Sequence, residues 1–417
     1  MTSNYQTVVA CRMCGNKNLV EVMDLGCQYL TGVFPRNPDG VGLTNGPLQL
    51  VKCHGGAEAC GLVQLRHNYS PDEMYGENYG YRSGLNPSMM AHLRAKVGAI
   101  IDRVAPGAGD LVIDIGSNDG TTLAAFPPEL TLVGIDPVAR KFQHHYPPHV
   151  TLIPDFFSAA LVAGAFPGRR AKIITSFSMV YDLEDPVAFA SEIASLLDEH
   201  HGIWVFEQSY LPLMLERTAF DTICHEHIEY YGLRQIAWML ERAGMHIIDV
   251  ELNDVNGGSF SVVAARTTAD YVPNAAAIAR LFNYEDDLQV DALATYDAFR
   301  ASINDMSREL KAFLEAVRRE GKRVCGLGAS TKGNVLLQYC GLTGADIEVI
   351  GELNPDKFGA VTPGSWIPID DEAKVLASRP DYLIVLPWHF RAGFLSNPAY
   401  KGLNLVFPLP RLEVVRT

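Results

Sequence analysis

Eight consecutive residues, Cys224-His225-Glu226-His227-Ile228-Glu229-Tyr230-Tyr231, gather two imidazoles, two carboxyls and two phenols. Only the imidazole is poised near neutral pH, so His227 is the candidate general base, with His225 to assist. On an extended strand the two rings would share one face and Glu226 would point away, because side chains repeat every second residue. On a loop all three could converge. As a metal pair, His225-x-His227 lacks a third ligand at a fitting spacing. The bland alternative is a His-rich surface loop.

Upstream lies a glycine loop, Asp114-Ile115-Gly116-Ser117-Asn118-Asp119-Gly120. Such a loop lets the backbone approach a ligand closely and aims amide donors at it from a helix N-terminus. Its spacing, Asp114-x-Gly116-x3-Gly120, is not the G-x-G-x-x-G of dinucleotide sites, and an acid precedes the first glycine. Asp136 ends the next strand-like run, TLVGIDP, where a carboxylate can accept both ribose hydroxyls. Asp155, in Pro154-Asp155-Phe156-Phe157, falls where a third strand would end, and could bond an adenine amino group beside an aromatic ring. Together these features point to S-adenosylmethionine, held by Asp114, Gly116, Asn118, Asp119 and Gly120.

A second loop, Gly326-Leu327-Gly328-Ala329-Ser330-Thr331-Lys332-Gly333, offers amides, hydroxyls and one lysine. It reads as a diphosphate cradle built from Gly328 and Ala329, with Lys332 as counter-charge and Asn334 in the following turn. It lacks the Gly-Lys-Ser/Thr order of a Walker loop, so nucleotide hydrolysis is not expected. The alternative is a helix-packing turn. Two pockets in one chain suit a donor cofactor in one and a nucleotide-linked substrate in the other. Trp388 and His389, after the apolar run DYLIVLP, are candidates for substrate contact or for packed strand-end aromatics.

The elements that must position these residues alternate. LVIDIG, TLVGIDP, KIITSFSMV and GIWVFEQ read as strands. PSMMAHLRAKVGAIIDRVA and DPVAFASEIASLLDEH have helical periodicity. SFSVVAARTT closes the unit after the turn Asn256-Gly257-Gly258. This is an α/β pattern with a doubly wound, Rossmann-like sheet. Residues from about 275 to 320 read as helices stopped by Gly321, and a second α/β unit follows. Five of the eight cysteines crowd the first 60 residues. Cys11-x2-Cys14 and Cys53-x6-Cys60 predict a zinc site of four thiolates that supplies the stability a small module lacks, with Cys27 as substitute ligand. Three units result: 1–70, a zinc module; 71–270, the cofactor-binding core; and 271–417, helices plus the second α/β domain.

The 417 residues carry a net charge of −14, which argues against a polyanion-binding surface and a nucleic-acid partner. No apolar run is long enough for a bilayer and the first residues lack a signal-peptide pattern, so a cytoplasmic protein with no membrane partner is expected. Oligomeric state is not legible.

The order of Cys pairs, Asp24-Leu25-Gly26-Cys27-Gln28-Tyr29-Leu30-Thr31-Gly32-Val33-Phe34, DIGSNDG, DFF, a Glu-His pair, NGG and GLGASTKG resembles the zinc-containing sugar C-methyltransferases over essentially the whole chain. The resemblance implies a class I methyltransferase core acting on C3 of a nucleotide-linked 4-keto-deoxysugar, with structural zinc. It implies a Glu-His pair at the reacting sugar, here Glu226 and His227, and a tyrosine at Tyr81 with Tyr79 as rival. Asn256 would also contact substrate, and Ser176 and Ser178 would lie near the methionine portion of the cofactor. Three departures stand out: the stretched second cysteine pair, Ser178 where relatives carry Asn, and the polar run Glu229-Tyr230-Tyr231. In this reading His227 takes the C3 proton, Glu226 orients the ring or binds a hydroxyl, and Tyr81 bonds the enolate oxygen. The rival functions are O- or N-methylation of another acceptor, an oxidoreductase with two NAD sites, and a non-catalytic sugar-nucleotide-binding protein.

Overall fold

Seven strands form the central sheet of the computed structural model, which describes residues 4–37, 43–56, 58–74 and 82–417. Their spatial order is Met245–Asn253, Ser259–Arg266, Ile203–Ser209, Ala171–Phe177, Leu111–Ile115, Thr131–Ile135, Thr151–Ile153. Only Ser259–Arg266 runs against the rest. Counted along the chain from Leu111–Ile115, the order is 3-2-1-4-5-7-6. The winding reverses between the first and fourth strands, which opens a crevice at their carboxyl ends. Leu111–Ile115 is buried at every position, as a strand covered on both faces must be. The flanking helix Pro87–Val104 begins with the Asn86 side chain accepting the Ser88 and Met89 amides, and buries Met89, Leu93, Val97 and Ile100 along one stripe.

A second sheet has six strands in the order Ile369–Asp371, Ile350–Glu352, Val324–Leu327, Tyr382–Val385, Asn404–Phe407, Glu413–Arg416. Counted from Val324–Leu327 this is 3-2-1-4-5-6, so a second crevice opens beside Val324–Leu327 and Tyr382–Val385. The connecting helix Leu293–Arg319 buries Tyr296, Phe299, Ile303, Met306, Leu310, Leu314 and Val317, a stripe at three- and four-residue steps. Gly321, at φ +67°, ends it. The preceding helix Ala275–Asp287 packs Ala277 and Leu281 into the first sheet's core, so the seam between the units does not fall at one chain position.

The N-terminal module pairs Leu19–Tyr29 with Asn45–Cys53 and then Val63–Leu65. Its fourth strand, Glu229–Tyr230, comes from the central unit and pairs Glu229 with Gln64 and Tyr230 with Val63. The acid/base segment is therefore woven into the cysteine module. Among the described residues no helix is long and apolar enough to cross a membrane.

Candidate active site

Residues 224–228 form a tight turn, with the His227 amide on Cys224 O at 3.2 Å, so the strand alternative for the two histidines is excluded. Ile228 fixes its exit: its amide donates to Tyr181 O at 3.0 Å and its carbonyl accepts from the Leu65 amide at 2.8 Å. The turn sends the three side chains to different neighbours. His227 Nδ1 lies 3.0 Å from Thr222 O, an acceptor, so Nδ1 carries the proton and Nε2 keeps its lone pair. The Tyr181 ring packs on the His227 ring at a tilt, 4.1 Å between centroids. Burial, followed by the positive charge of Lys332, pushes the imidazole down to about 3. His227 is thus a neutral, oriented acceptor at physiological pH.

Glu226 does not orient that ring. Its carboxyl lies against the Thr31–Gly32 backbone, where a Cβ on Gly32 would stand 2.3 Å from Oε1. Burial raises its pKa. His225 turns the other way, into the N-terminal module, meeting Tyr69 edge-on at 4.6 Å; it is not at the site. A small cavity behind His227 is lined by Tyr181, Ser209, Thr222 and Glu229 among others. Tyr79 and Tyr81 lie outside the described residues.

At the first crevice the glycine loop takes the left-handed backbone its sequence calls for: φ is +73° at Gly116, +50° at Asn118 and +78° at Gly120. The Asn118 and Val138 amides each donate to Asp136 at 2.8 Å, one to each oxygen, leaving further lone pairs for a diol. Asp114 sits beneath the loop, bonded by Thr175 Oγ1 at 2.6 Å and pushed up to about 7 by burial. Asn118 and Asp119 accept the Ser83 and Gly84 amides, which ties the segment after residue 81 to the loop. Asp155 and Phe156 are exposed at their strand end, whereas Phe157 packs inward on Phe189 at 5.1 Å. Ser176 is turned into the core, where Trp204 Nε1 donates to it at 3.2 Å, and is not positioned for the cofactor. Ser178, at φ +55°, remains at the crevice; its amide donates to Glu207 O at 2.7 Å.

The second crevice faces the first. The Lys332 ammonium reaches across the seam to Asn256 O, and Asn256 Nδ2 donates to Ser178 Oγ at 3.4 Å. His389 is half-buried beside Gly257, and both burial and the charge of Lys332 push its ring well down. Two expected substrate contacts prove to be supports. Trp388 donates from Nε1 to buried Asp221 at 2.8 Å. Asn334 donates to Thr31 O at 2.7 Å, fixing the segment that abuts Glu226. Gly328 packs on Pro387, where a Cβ would come within 2.7 Å, and Ala329 O accepts from Lys357 Nζ at 2.8 Å.

Several residues escaped the sequence reading. Glu207 binds His92 at 2.6 Å, Lys96 at 3.2 Å and Asn253 at 2.8 Å. Burial opposes its charge, but His92 and Lys96 outweigh it and hold the carboxylate low. A lone acid inside the apolar run GIWVFEQ was the available signal. Tyr146, whose hydroxyl bridges Ser117 Oγ and Asn118 O at 2.8 Å each, gave none.

Comparison with known proteins now places this geometry. Family models match in three consecutive stretches: a zinc-binding domain at 11–75, a methyltransferase domain at 89–250 and a C-methyltransferase C-terminal domain at 254–410. C-methyltransferase NovU of Streptomyces niveus is 30% identical over 412 residues, 97% of this chain and 96% of that protein. The chain belongs to the zinc-containing C-methyltransferases. Among solved structures, magnesium protoporphyrin IX methyltransferase of Synechocystis, with bound S-adenosylhomocysteine, aligns at 17% identity over 45% of this chain and 91% of its own, with TM-score 0.34. An O-methyltransferase family protein of Burkholderia thailandensis aligns at 18% identity over 48% and 63%, with TM-score 0.35.

As a member of this family the chain uses S-adenosylmethionine and zinc, and its residues fit both. The free lone pairs of Asp136 beside the glycine loop suit a ribose. The Sγ atoms of Cys11, Cys14, Cys53 and Cys60 all lie within 4.8 Å of one another, with Cys11–Cys60 and Cys14–Cys53 at 3.5 Å. Tetrahedral zinc thiolate, with bonds of about 2.3 Å, needs sulfurs roughly 3.8 Å apart. Contact with Cys53 pushes the Cys11 thiol up to about 12 while contact with Cys11 holds Cys53 down, and a zinc ion held by the four would favour their thiolate forms. Four thiolates leave zinc no open position, which makes it structural. Cys27 is exposed and apart from the cluster.

Proposed function

We propose that this C-methyltransferase transfers its methyl group to C3 of a nucleotide-linked 4-keto-deoxysugar. The supporting observation is His227: a neutral imidazole, proton fixed on Nδ1 by Thr222 O, within the field of Lys332, whose ammonium crosses the seam to Asn256 O. Carbon methylation needs a carbanion equivalent, and a hydron next to a ketone is acidic enough to remove when the enolate oxygen is stabilised. Bound S-adenosylmethionine supplies a methyl group made electrophilic by its sulfonium. His227 Nε2 takes the proton from carbon. Negative charge developing on the substrate raises the ring's basicity at that moment, offsetting burial. Glu226, held against Gly32, would bind a sugar hydroxyl rather than the ring. The second crevice, at the carboxyl ends of Val324–Leu327 and Tyr382–Val385, is where the nucleotide end would lie.

The test is incubation with methyl-labelled S-adenosylmethionine and a panel of dTDP-, GDP- and CDP-linked 4-keto sugars, read by mass spectrometry. Label in one of the sugars is the expected result. Label in none of them, with transfer to an unrelated alcohol or amine, would refute the proposal.

A further inference from the structure

We propose that Lys332 is the donor that holds the substrate's ketone oxygen while the adjacent carbon loses its proton, rather than the counter-charge of a diphosphate. The inference rests on the reading above, that the acceptor carries a ketone next to the methylated carbon.

The direction of the side chain carries the argument. Lys332 is the second residue of the helix Thr331–Tyr339, yet its ammonium leaves the glycine loop and crosses the seam to Asn256 O. Asn256 contacts Ser178 Oγ, and Ser178 is tied to Glu207 at the end of the fifth strand of the first sheet. The ammonium is therefore one residue from the crevice in which the methyl donor binds. Its neighbour Thr331 and Glu226, the residue before the base, meet at Gly32, and the lysine charge acts on the rings of both His227 and His389. Among the described residues Asn256 O is its one hydrogen-bond acceptor, and an ammonium has three N–H donors. Asp221 supplies a nearby negative charge, but one of its oxygens is committed to Trp388 Nε1. A partly buried ammonium with donors to spare suits an oxygen on which charge develops. The cation at the glycine loop itself is Lys357, bonded to Ala329 O.

The chemistry closes without another reagent. The C–H bond breaks, its proton passes to His227 Nε2 and its electron pair enters the new C=C bond of the enolate. The ketone π pair moves to the oxygen facing Lys332, which keeps its proton. The enolate carbon then bonds the methyl carbon, and the pair of the S–CH3 bond stays on sulfur. Because the enolate oxygen neutralises the lysine charge, it removes a field that holds His227 down. Base and donor thus assist each other in the same step.

The experiment measures deuterium uptake next to the ketone in D2O, with S-adenosylhomocysteine in place of the methyl donor, using the dTDP-, GDP- or CDP-linked 4-keto sugar that the wild-type chain takes. In Lys332→Met the exchange rate should fall about 100-fold or more, the range for loss of one oxyanion donor, with little change in the KM for the sugar nucleotide. Lys332→Arg should recover part of the rate. Wild-type exchange with a strongly raised KM would overturn the inference and assign the lysine to the diphosphate. If Lys332→Met no longer binds S-adenosylmethionine by calorimetry, Lys332→Gln decides: slowed exchange at unchanged KM supports the inference, and unchanged exchange overturns it. If the wild-type chain exchanges no keto sugar at all, the proposed function itself fails and this inference with it.

Discussion

His227 can act as a base because three neighbours, one local and two from distant parts of the chain, keep it neutral and oriented: Thr222 O, the Tyr181 ring and Lys332. His227→Gln should lower methyl transfer by about 10²- to 10⁴-fold, while calorimetry shows S-adenosylmethionine affinity unchanged, since the ring makes no bond to the glycine loop. Loss of cofactor binding would show that the residue is architectural. Residue types were legible in the sequence, but their directions were not. Ser176 and Ser178 share strand parity, yet φ +55° at Ser178 breaks the alternation, so one side chain enters the core and the other stays at the crevice. A turn, closed by the His227 amide on Cys224 O, separates His225 from His227. Glu229 gives a pH prediction. Burial pushes its carboxyl up to about 8, with Tyr231 bonded to it. Folded protein therefore keeps a proton that the unfolded chain has already released, and stability falls as pH rises through neutrality toward 8, by about 1.4 kcal/mol per pH unit per such group. Asp114, raised to about 7, adds to the slope up to that pH. Denaturant midpoints for Glu229→Gln between pH 6.5 and 8 should vary less steeply than those for the wild-type chain; an equal slope would contradict this account.

Elements bring the site together across long sequence separations, which explains what local reading missed. The glycine loop and Asp136 were legible because Asp136 follows the loop directly in the next strand. The role of Glu226 was not, because its neighbours Thr31 and Gly32 lie near the other end of the chain and are fixed by Asn334 from the C-terminal domain. Gly32 leaves the room that the carboxyl occupies, since a methyl there would overlap Glu226 Oε1 and make it shift. Gly32→Ala should displace that carboxyl and lower turnover by up to about 10²-fold, the effect of an ångström-scale misplacement. Cofactor affinity should not change. Unaltered kinetics would mean that Glu226 has no part in holding the substrate.

At the scale of the molecule, three units meet: a cysteine module that contributes a sheet to the segment after His227, a methyltransferase core, and a second doubly wound domain joined to it across the Lys332–Asn256 contact. Alternating strands and helices revealed both sheets, and cysteine spacing revealed the module. The pairing of Glu229–Tyr230 with Val63–Leu65 was invisible, because a two-residue strand has no periodicity to read. That pairing makes zinc matter to a reaction in which it takes no part. Removing zinc with a strong chelator should loosen the module's sheet and abolish methyl transfer in step with metal release, while S-adenosylmethionine binding persists. Full activity in metal-free protein would contradict this coupling.

The central claim is carbon methylation next to a ketone with His227 as base, and the product's connectivity tests it most directly. With S-adenosylmethionine carrying a ¹³C methyl group and a nucleotide-linked 4-keto sugar, NMR should place the label on the ring carbon beside the ketone, with that carbon's original hydron lost to solvent. A label on oxygen or nitrogen, or transfer with the hydron retained, would contradict the account.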